Sequence, residues 1–395
     1  MTGTSSQPAS DLIIAGASAR AACFSAARAG FAPYWLDQFG DTDLRAAFPG
    51  ALVAPGNYPA GLVAALEQAP VAPVIYTGAL ENHHAVLRQI AARRPLLGNS
   101  ASVCARVRTP ALLREKLAGH GISFPRHLDS GARVPASGRW LQKPLRSGGG
   151  LGISNASPGT CATPGHYLQE FMAGENFSAV FIAGETDLQV LGITRQLVGE
   201  GDFHAPAFSY CGSIGPVTPA PRIQARWEEI GRVLAREFGL RGLFGVDATV
   251  RDDEVTVIEV NPRYTASVEV LEAALDVAAV ALHMSAWGVA DSTRGNNWGQ
   301  SVRSDPGNSR PHPKLFHGKA CLFAPTDLVF DSDPLIEASV RFADVPAAGT
   351  TIFRSAPILT LLCCADTLDA CAGQLRRAAA GVYRVLENAG SARTR

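Results

Sequence analysis

Short apolar runs closed by glycine, proline or an acid alternate along the chain with stretches whose apolar positions recur at helical spacing. Leu12–Ala15 and Pro33–Leu36 read as strands around an alanine-rich helix ended by Gly30, and Val71–Tyr76 as a further strand. Pro110–His120 reads as a helix closed by Gly121, and Trp140–Pro144 as a strand. Tyr167–Ile182 predicts two strands around a break at Ala173–Gly174, and Leu188–Val198 a strand pair with Thr194, Arg195 and Gln196 at its polar end. Phe203–Pro216, rich in glycine and aromatics, predicts an irregular loop on the substrate side. Arg226–Phe238 and Val270–Ala290 predict helices, the latter buried and amphipathic. Asp291–Pro313 has no periodicity and reads as a linker or mobile loop. Leu315–Phe323, Val340–Asp344, Thr351–Phe353 and Thr360–Cys363 then predict a small β-rich unit, closed by a helix over Asp366–Glu387. The alternation of elements is that of an α/β (α+β) chain with several subdomains.

One stretch concentrates candidate chemistry. In VTVIEVNPRYTASV, Val255–Val268, a short apolar strand delivers Glu259, Asn261 and Arg263, which period-2 alternation places on one face. Pro262 stops the strand. Upstream, Leu243–Val250 is a second apolar strand carrying one acid, Asp247, and a hairpin turn at Arg251–Glu254 makes the two strands antiparallel neighbours. An unpaired carboxylate in an apolar strand is costly. Asp247, Glu259 and Asn261 are therefore candidate ligands of a hard cation, with Arg263 as a fork for phosphate or carboxylate. The competing reading is a plain turn with an exposed acid.

Lys143 stands in a strand just ahead of Arg146–Ile153, where Ser147, Gly148, Gly149, Gly150 and Gly152 form a mobile loop suited to covering phosphates; a flexible hairpin turn is the alternative. Gln169, Glu170, Phe171 and Met172 form a connecting strand whose apolar side chains suit a flat ring, or ordinary core packing. Arg195 is a candidate for orienting a substrate carboxylate, with a structural salt bridge as the alternative. The N-terminal strand–helix–strand unit has the look of a mononucleotide-binding unit without its full glycine fingerprint, which favours a helper domain. Ser18 and Arg20 at its helix start fit an anion site or a helix cap equally. Glu81, His83 and His84 read as solvated loop residues.

Charge narrows the partners. The 395 residues carry 35 basic and 35 acidic side chains, net zero, with no basic block. This argues against nucleic acid or an anionic membrane surface as partner. The 8 cysteines show no C-x-x-C pair and sit mostly in apolar contexts, as reduced thiols of a cytoplasmic protein do. The polar N-terminus lacks signal-peptide order, and the longest apolar stretch is broken by Glu272, Asp276 and His283. The partners expected are small molecules, and the apolar tail strands are compatible with a homodimer.

With Lys143, the glycine loop, QEFMAGENFS and the acids of GVDATV and IEVNPR in that order, the chain resembles the ATP-grasp superfamily. The resemblance implies a Rossmann-like pre-ATP-grasp domain at 1–98, an ATP-grasp domain at 99–290, a linker at 291–313 and a β-rich C-terminal subdomain at 314–395. It implies that ATP and Mg2+, or Mn2+ in its place, are bound. Lys143 and the glycine loop would meet the phosphates, and Gln169–Met172 the adenine. Asp247, Glu259 and Asn261 would hold the metal, and Arg263 would face the transferred phosphoryl group. Two departures stand out. Arg108 in ARVRTP is the nearest cation where many relatives have a lysine, and the ribose position falls on either Glu175 or Asn176. The implied activity is carboxylate–amine ligation through an acyl phosphate. Biotin-carboxylase-like bicarbonate activation and non-catalytic nucleotide binding are the alternatives. ASARAACFSAARAG, ITRQLVG, SYCGSIGP and FADVP are similar to the ATP-grasp ligases of methanofuran and tetrahydromethanopterin pathways, which join glutamate to a tyramine-like amine.

Overall fold

A computed structural model describes residues 10–289, 315–331 and 340–393. The expected linker at Asp291–Pro313 and nearly all of the polar N-terminus lie outside them. The N-terminal apolar runs become four parallel strands, β1 (Leu12–Gly16), β2 (Pro33–Asp37), β3 (Gly50–Leu52) and β4 (Val74–Tyr76), in the order β3-β2-β1-β4. Helices α1 (Arg20–Arg28), α2 (Thr42–Ala47), α3 (Gly61–Gln68) and α4 (His84–Ala91) connect and flank them. The carboxyl ends of β1 and β4 face the rest of the molecule: a Cβ on Gly78 would stand 3.5 Å from the Arg263 guanidinium.

The helix expected at Pro110–His120 has a companion. α5 (Ala101–Val107) and α6 (Pro110–Ala118) are separated because Thr109, ahead of a proline, is forced out of helical geometry (φ −91°, ψ 108°). That break frees Arg108 to point away from both helices. A small antiparallel sheet follows, with strands β5 (His127–Leu128), β6 (Trp140–Pro144), β7 (Ser154–Ala156) and β8 (His166–Glu170) in the order β5-β8-β6-β7.

The larger sheet has eight strands. From the middle of the chain come β9 (Glu175–Ala183), β10 (Leu188–Val198), β11 (Tyr210–Gly215), β12 (Gly242–Arg251) and β13 (Glu254–Asn261). From the tail come β14 (Phe316–Phe323), β16 (Arg341–Ala343) and β18 (Pro357–Ala365), while β15 (Leu328–Phe330) and β17 (Thr350–Ile352) form a separate ribbon. The sheet order is β13-β12-β9-β10-β11-β14-β18-β16, antiparallel throughout. The tail strands expected as a unit of their own thus extend the sheet built by the middle of the chain.

Three further expectations are corrected. Leu188–Val198 is one strand, not two. Gly192 serves close packing there, since a Cβ would fall 2.7 Å from Leu271, and the register shift beside it is absorbed as a bulge. The second half of Phe203–Pro216 is strand β11, whose small residues conceal its alternation; a Cβ on Gly212 would meet the Lys319 carbonyl at 2.1 Å. Val270–Ala290 belongs to two helices, α8 (Ala266–Leu275) and α9 (Ala279–Ala286), broken where Asp276 adopts φ +50°.

Helix α7 (Pro221–Phe238) buries Trp227, Ile230, Leu234 and Phe238 on one side of the large sheet, beneath the stacked Phe181 and Phe244, whose ring centroids are 5.0 Å apart. The closing helix α10 (Leu368–Arg393) buries Leu375, Ala379 and Val382 against the tail strands. All eight cysteines are free; Cys161 and Cys364 are exposed, against the expectation of burial. Among the described residues no helix is long and apolar enough to cross a membrane.

Buried charge joins the parts. Arg20 contacts Glu269 at 2.7 Å and Asp344 at 2.5 Å, and Lys319 contacts Glu269 at 2.7 Å, so α1, α8, β14 and the end of β16 share one network. Arg20 is therefore engaged by acids and serves neither as an anion site nor as a cap. Ser18 caps nothing, because α1 begins from Ala19 without a side-chain cap. Removing one partner of such a network strands the others without a counter-charge. Arg20→Met is expected to lower stability by about 3–5 kcal/mol, read as a shift of the urea midpoint.

Candidate nucleotide and metal site

The hairpin of β12 and β13 organises the site. Asp252 and Asp253, at φ +51° and +63°, make the tight turn that brings Asp247 directly opposite Glu259. The register then slips between Asp247 and Ala248, leaving Ile258 as an extra residue. That bulge lets consecutive Ile258 and Glu259 both line one cleft, where strict alternation would send them to opposite faces. Asn261 Nδ2 donates to Asp247 Oδ2 (2.9 Å), and Gln196 Nε2 from β10 donates to Asp247 Oδ1 (3.0 Å). Burial, together with the charge of Glu259, pushes the Asp247 carboxyl up to about 6. Burial also opposes ionisation of Glu259, but the cations Arg108, Lys143 and Arg263 outweigh it and hold that carboxyl below its ordinary value.

Arg108 reaches this hairpin from the α5–α6 break. Its Nη1 donates to Glu259 Oε1, and its Nη2 to the Ser147 carbonyl (2.6 Å) and to Asn82 Oδ1 (3.2 Å). Arg263 stands just past the end of β13. Its Nη2 donates to Asn261 Oδ1 (3.2 Å), its Nη1 to the Tyr264 carbonyl (3.1 Å), and its Nε and Nη2 contact Glu81 at 2.9 and 2.8 Å. Glu81 has 0% exposure, which overturns its reading as a solvated loop residue. Buried Lys143 donates from Nζ to Gln169 Oε1 at 2.8 Å.

The glycine loop is docked. Gly149, Gly150 and Gly152 all have positive φ, and the Tyr210 amide donates to the Gly149 carbonyl at 2.9 Å. Gly150 presses so closely on the turn ahead of β11 that a Cβ would lie 1.9 Å from the Phe208 carbonyl oxygen. Asn82 Nδ2 donates to the Ser147 carbonyl (3.1 Å), and Ser147 Oγ to the Leu151 carbonyl (2.6 Å). Lys143, Gly149, Gly150, Gln169, Glu170, Phe171, Met172, Asn176, Asp247, Glu259, Asn261 and Arg263 line the one cleft. Ser147 and Gly148 line a narrower recess that shares Lys143, Gly150, Ile153 and Glu259 with it. Gly152 instead packs on Pro144.

Two candidates fall elsewhere. Arg195 is turned toward Asp369 of α10, at 3.9 Å, and with exposed Glu175 it lines a separate cleft bordered by Glu200 and Arg376. The structural salt bridge is thus the reading that geometry supports for Arg195. Of the two ribose candidates it is Asn176 that borders the main cleft. Glu170 lines the cleft but gives its carboxylate to Arg126, with two contacts of 2.8 Å, so only its backbone is free to meet a ring. Glu81, Asn82 and Gln196 were missed. Applying period 2 to ITRQLV would have separated Arg195 from Gln196, whereas no local pattern marks Glu81 or Asn82.

The donor set suits Mg2+. Two carboxylates and an amide meet at one hairpin end, and the raised Asp247 records a repulsion that a cation would relieve. Among the described residues no three His, Cys, Asp or Glu side chains gather closely enough to hold a metal alone. The protein thus offers a partial oxygen shell that a polyphosphate would complete.

The cleft thus lies between a small antiparallel sheet and a larger one, under a glycine-rich loop. Residues 111–267 match the family described as the ATP-grasp domain, and the chain carries that domain. Over 94% of this chain and 97% of the other, it superposes on L-amino acid ligase from Bacillus licheniformis with a TM-score of 0.67 at 13% identity. The match to N5-carboxyaminoimidazole ribonucleotide synthetase from Thermus thermophilus has a TM-score of 0.64 at 14% identity, covering 92% and 97%. The biotin carboxylase domain dimer of Hydrogenobacter thermophilus 2-oxoglutarate carboxylase, solved with MgADP, ADP and bicarbonate, gives 0.69 at 13%, covering 94% and 90%. At these identities the likeness is one of fold. An uncharacterized protein of Methanocaldococcus jannaschii is 24% identical over 196 residues, which span 49% of this chain and 41% of that protein.

Two outcomes follow from this geometry. Gly150→Ala is expected to undock the loop through a clash of about 1–3 kcal/mol, accelerating amide hydrogen exchange at Tyr210 and across residues 146–153. For Asp247, a folded-state pKa near 6 against an unfolded value near 3.8 means its ionisation destabilises the metal-free fold above both values. Asp247→Asn is expected to be more stable than the parent at pH 8, with the gap closing as pH falls from about 6 to about 4, as urea titrations at several pH values will show.

Proposed function

We propose that this protein is an ATP-dependent carboxylate–amine ligase working through an acyl phosphate. The observation that carries the reading is the meeting of Lys143, the docked glycine loop, the Asp247–Glu259–Asn261 set and Arg263 in a single cleft. A substrate carboxylate placed at Arg263 attacks the γ-phosphorus of ATP. An O–P bond forms, the β–γ bridge breaks, and ADP leaves. An amine then attacks the acyl carbon, phosphate departs with the bonding pair, and the amine loses a proton. Phosphoryl transfer asks the protein for charge neutralisation and alignment more than for a nucleophile. Lys143 and Arg108 provide the cations on the phosphate side, Arg263 the one on the carboxylate side, and residues 146–153 exclude water from an intermediate that water would destroy. Mg2+, held by Asp247, Glu259 and Asn261, supplies further neutralisation of the polyphosphate when bound.

For the substrates, we propose glutamate and an aromatic amine, in the biosynthesis of methanofuran- or tetrahydromethanopterin-type cofactors. Val198, Phe208 and Tyr210 are among the residues lining the cleft, and apolar and aromatic faces there support an aromatic partner. A second reading, bicarbonate activation, draws on the biotin carboxylase match, which covers nearly the whole chain.

ADP release with Mg-ATP and L-glutamate, with and without tyramine and related amines, separates the two. Amine-dependent release with a product of summed mass less water supports the ligase; release driven by bicarbonate alone supports the carboxylase; turnover with neither overturns both. In the ligase, Glu259→Gln is expected to cut ADP formation by about a hundredfold or more in a protein that still unfolds cooperatively, and full activity would remove Glu259 from the metal site.

A further inference from the structure

Between β4 and α4 the chain makes a tight 3-10 turn at Leu80–Asn82, entered through Ala79 at φ +73°. A non-glycine residue in the left-handed region is unfavourable and persists where its surroundings over-determine it. Glu81, on this turn, is fully buried, and its Oε1 alone takes both contacts from Arg263 while Oε2 has no partner. A guanidinium has five N–H donors in a fixed fork. In Arg263, Nε–H goes to Glu81, one Nη2–H to Asn261 and one Nη1–H to Tyr264, and Nη2 also stands 2.8 Å from Glu81 Oε1. One N–H on each Nη makes no recorded hydrogen bond.

The neighbouring residue does the equivalent on the phosphate side. Asn82 is also buried; its Oδ1 accepts from Arg108 Nη2 (3.2 Å) and its Nδ2 donates to the Ser147 carbonyl (3.1 Å), the same carbonyl that Arg108 holds at 2.6 Å. One turn of the N-terminal domain therefore reaches both guanidinium groups of the cleft and the root of its glycine loop.

We propose that Glu81 and Asn82 are positioning residues, Glu81 aiming Arg263 toward the reacting carboxylate and Asn82 setting Arg108 and the glycine loop over the phosphates. This rests on the ligase reading above. It assigns the two residues different kinetic signatures, which a mere docking contact between domains would not produce. Glu81→Gln keeps the shape and an acceptor but removes the charge that fixes Arg263, so kcat is expected to fall about tenfold or more while KM for ATP stays within about twofold. Asn82→Ala is expected to raise KM for ATP about tenfold with a smaller effect on kcat. In the double variant of Glu81→Gln with Arg263→Lys, the losses are expected to be non-additive, because both act through one guanidinium.

The experiment is steady-state ADP release for these variants beside their melting temperatures. Unchanged kinetics, or strictly additive losses for Glu81 and Arg263, would overturn the assignment. If the parent protein turns over no substrate, the ligase reading fails on its own, and the inference is then judged by 15N NMR. The Arg263 Nε–H signal, assigned by its absence in Arg263→Lys, is expected to exchange slowly in the parent and quickly in Glu81→Gln. Equal exchange in the two would refute the positioning.

Discussion

Two guanidinium groups and two carboxylates crowd the end of one hairpin, and their burial makes each depend on the partners it finds there. A buried charge keeps its ionised form only when paired and hydrogen-bonded. Glu259 has Arg108, and Arg263 has Glu81, while Asp247 has only the neutral Gln196 and Asn261 and is correspondingly reluctant to ionise. The partners come from different regions: Arg108 from a helix break, Glu81 from the N-terminal domain, Gln196 from the middle of the large sheet. Assembly of the site and packing of these regions are therefore linked, because withdrawing the region that carries Arg108 or Glu81 leaves Glu259 or Arg263 without its counter-charge.

Local structure was legible wherever a residue type has a local consequence. The Asp252–Asp253 turn, the strand at Lys143 and the glycine loop each follow from their own few residues. So did the facing of Asp247 and Glu259, which needs only a hairpin and its register. The reading failed where a small residue serves tertiary packing. Gly192 and Gly212 look like turn formers but lie inside strands, pressed on Leu271 and on the Lys319 carbonyl. It failed again where a polar residue finds its partner far along the chain, as Glu81 does with Arg263. A buried acid and a solvated one have the same letter, and only the fold distinguishes them.

The same contrast separates what is common to the fold from what is particular to this chain. The fold is shared with enzymes of different substrates at 12–14% identity, so it does not select among them. At the cleft of this chain the Tyr210 hydroxyl, Ser213 Oγ and Ser267 Oγ form a hydrogen-bonded chain with steps of 2.9 and 3.2 Å. Hydroxyls reorient to suit donor or acceptor. This wall accordingly accommodates a polar group without fixing its charge, beside the apolar faces of Val198 and Phe208.

The continuity of the large sheet bears on how this architecture tolerates change. Strand β14 pairs along β11 from Gly212 to Gly215, and β18 and β16 continue outward from it. A truncation ahead of β14 would not detach an optional module; it would strip a partner from the middle of a sheet and leave β11 as a raw edge with unpaired amides and carbonyls. Insertions meet no such obstacle in the β15–β17 ribbon, which lies outside that sheet. The tail is thus held in two ways: its sheet strands are bound through β11 to the rest of the chain, and its ribbon is anchored by Phe330 and Ile352, which are buried in the core beneath α10.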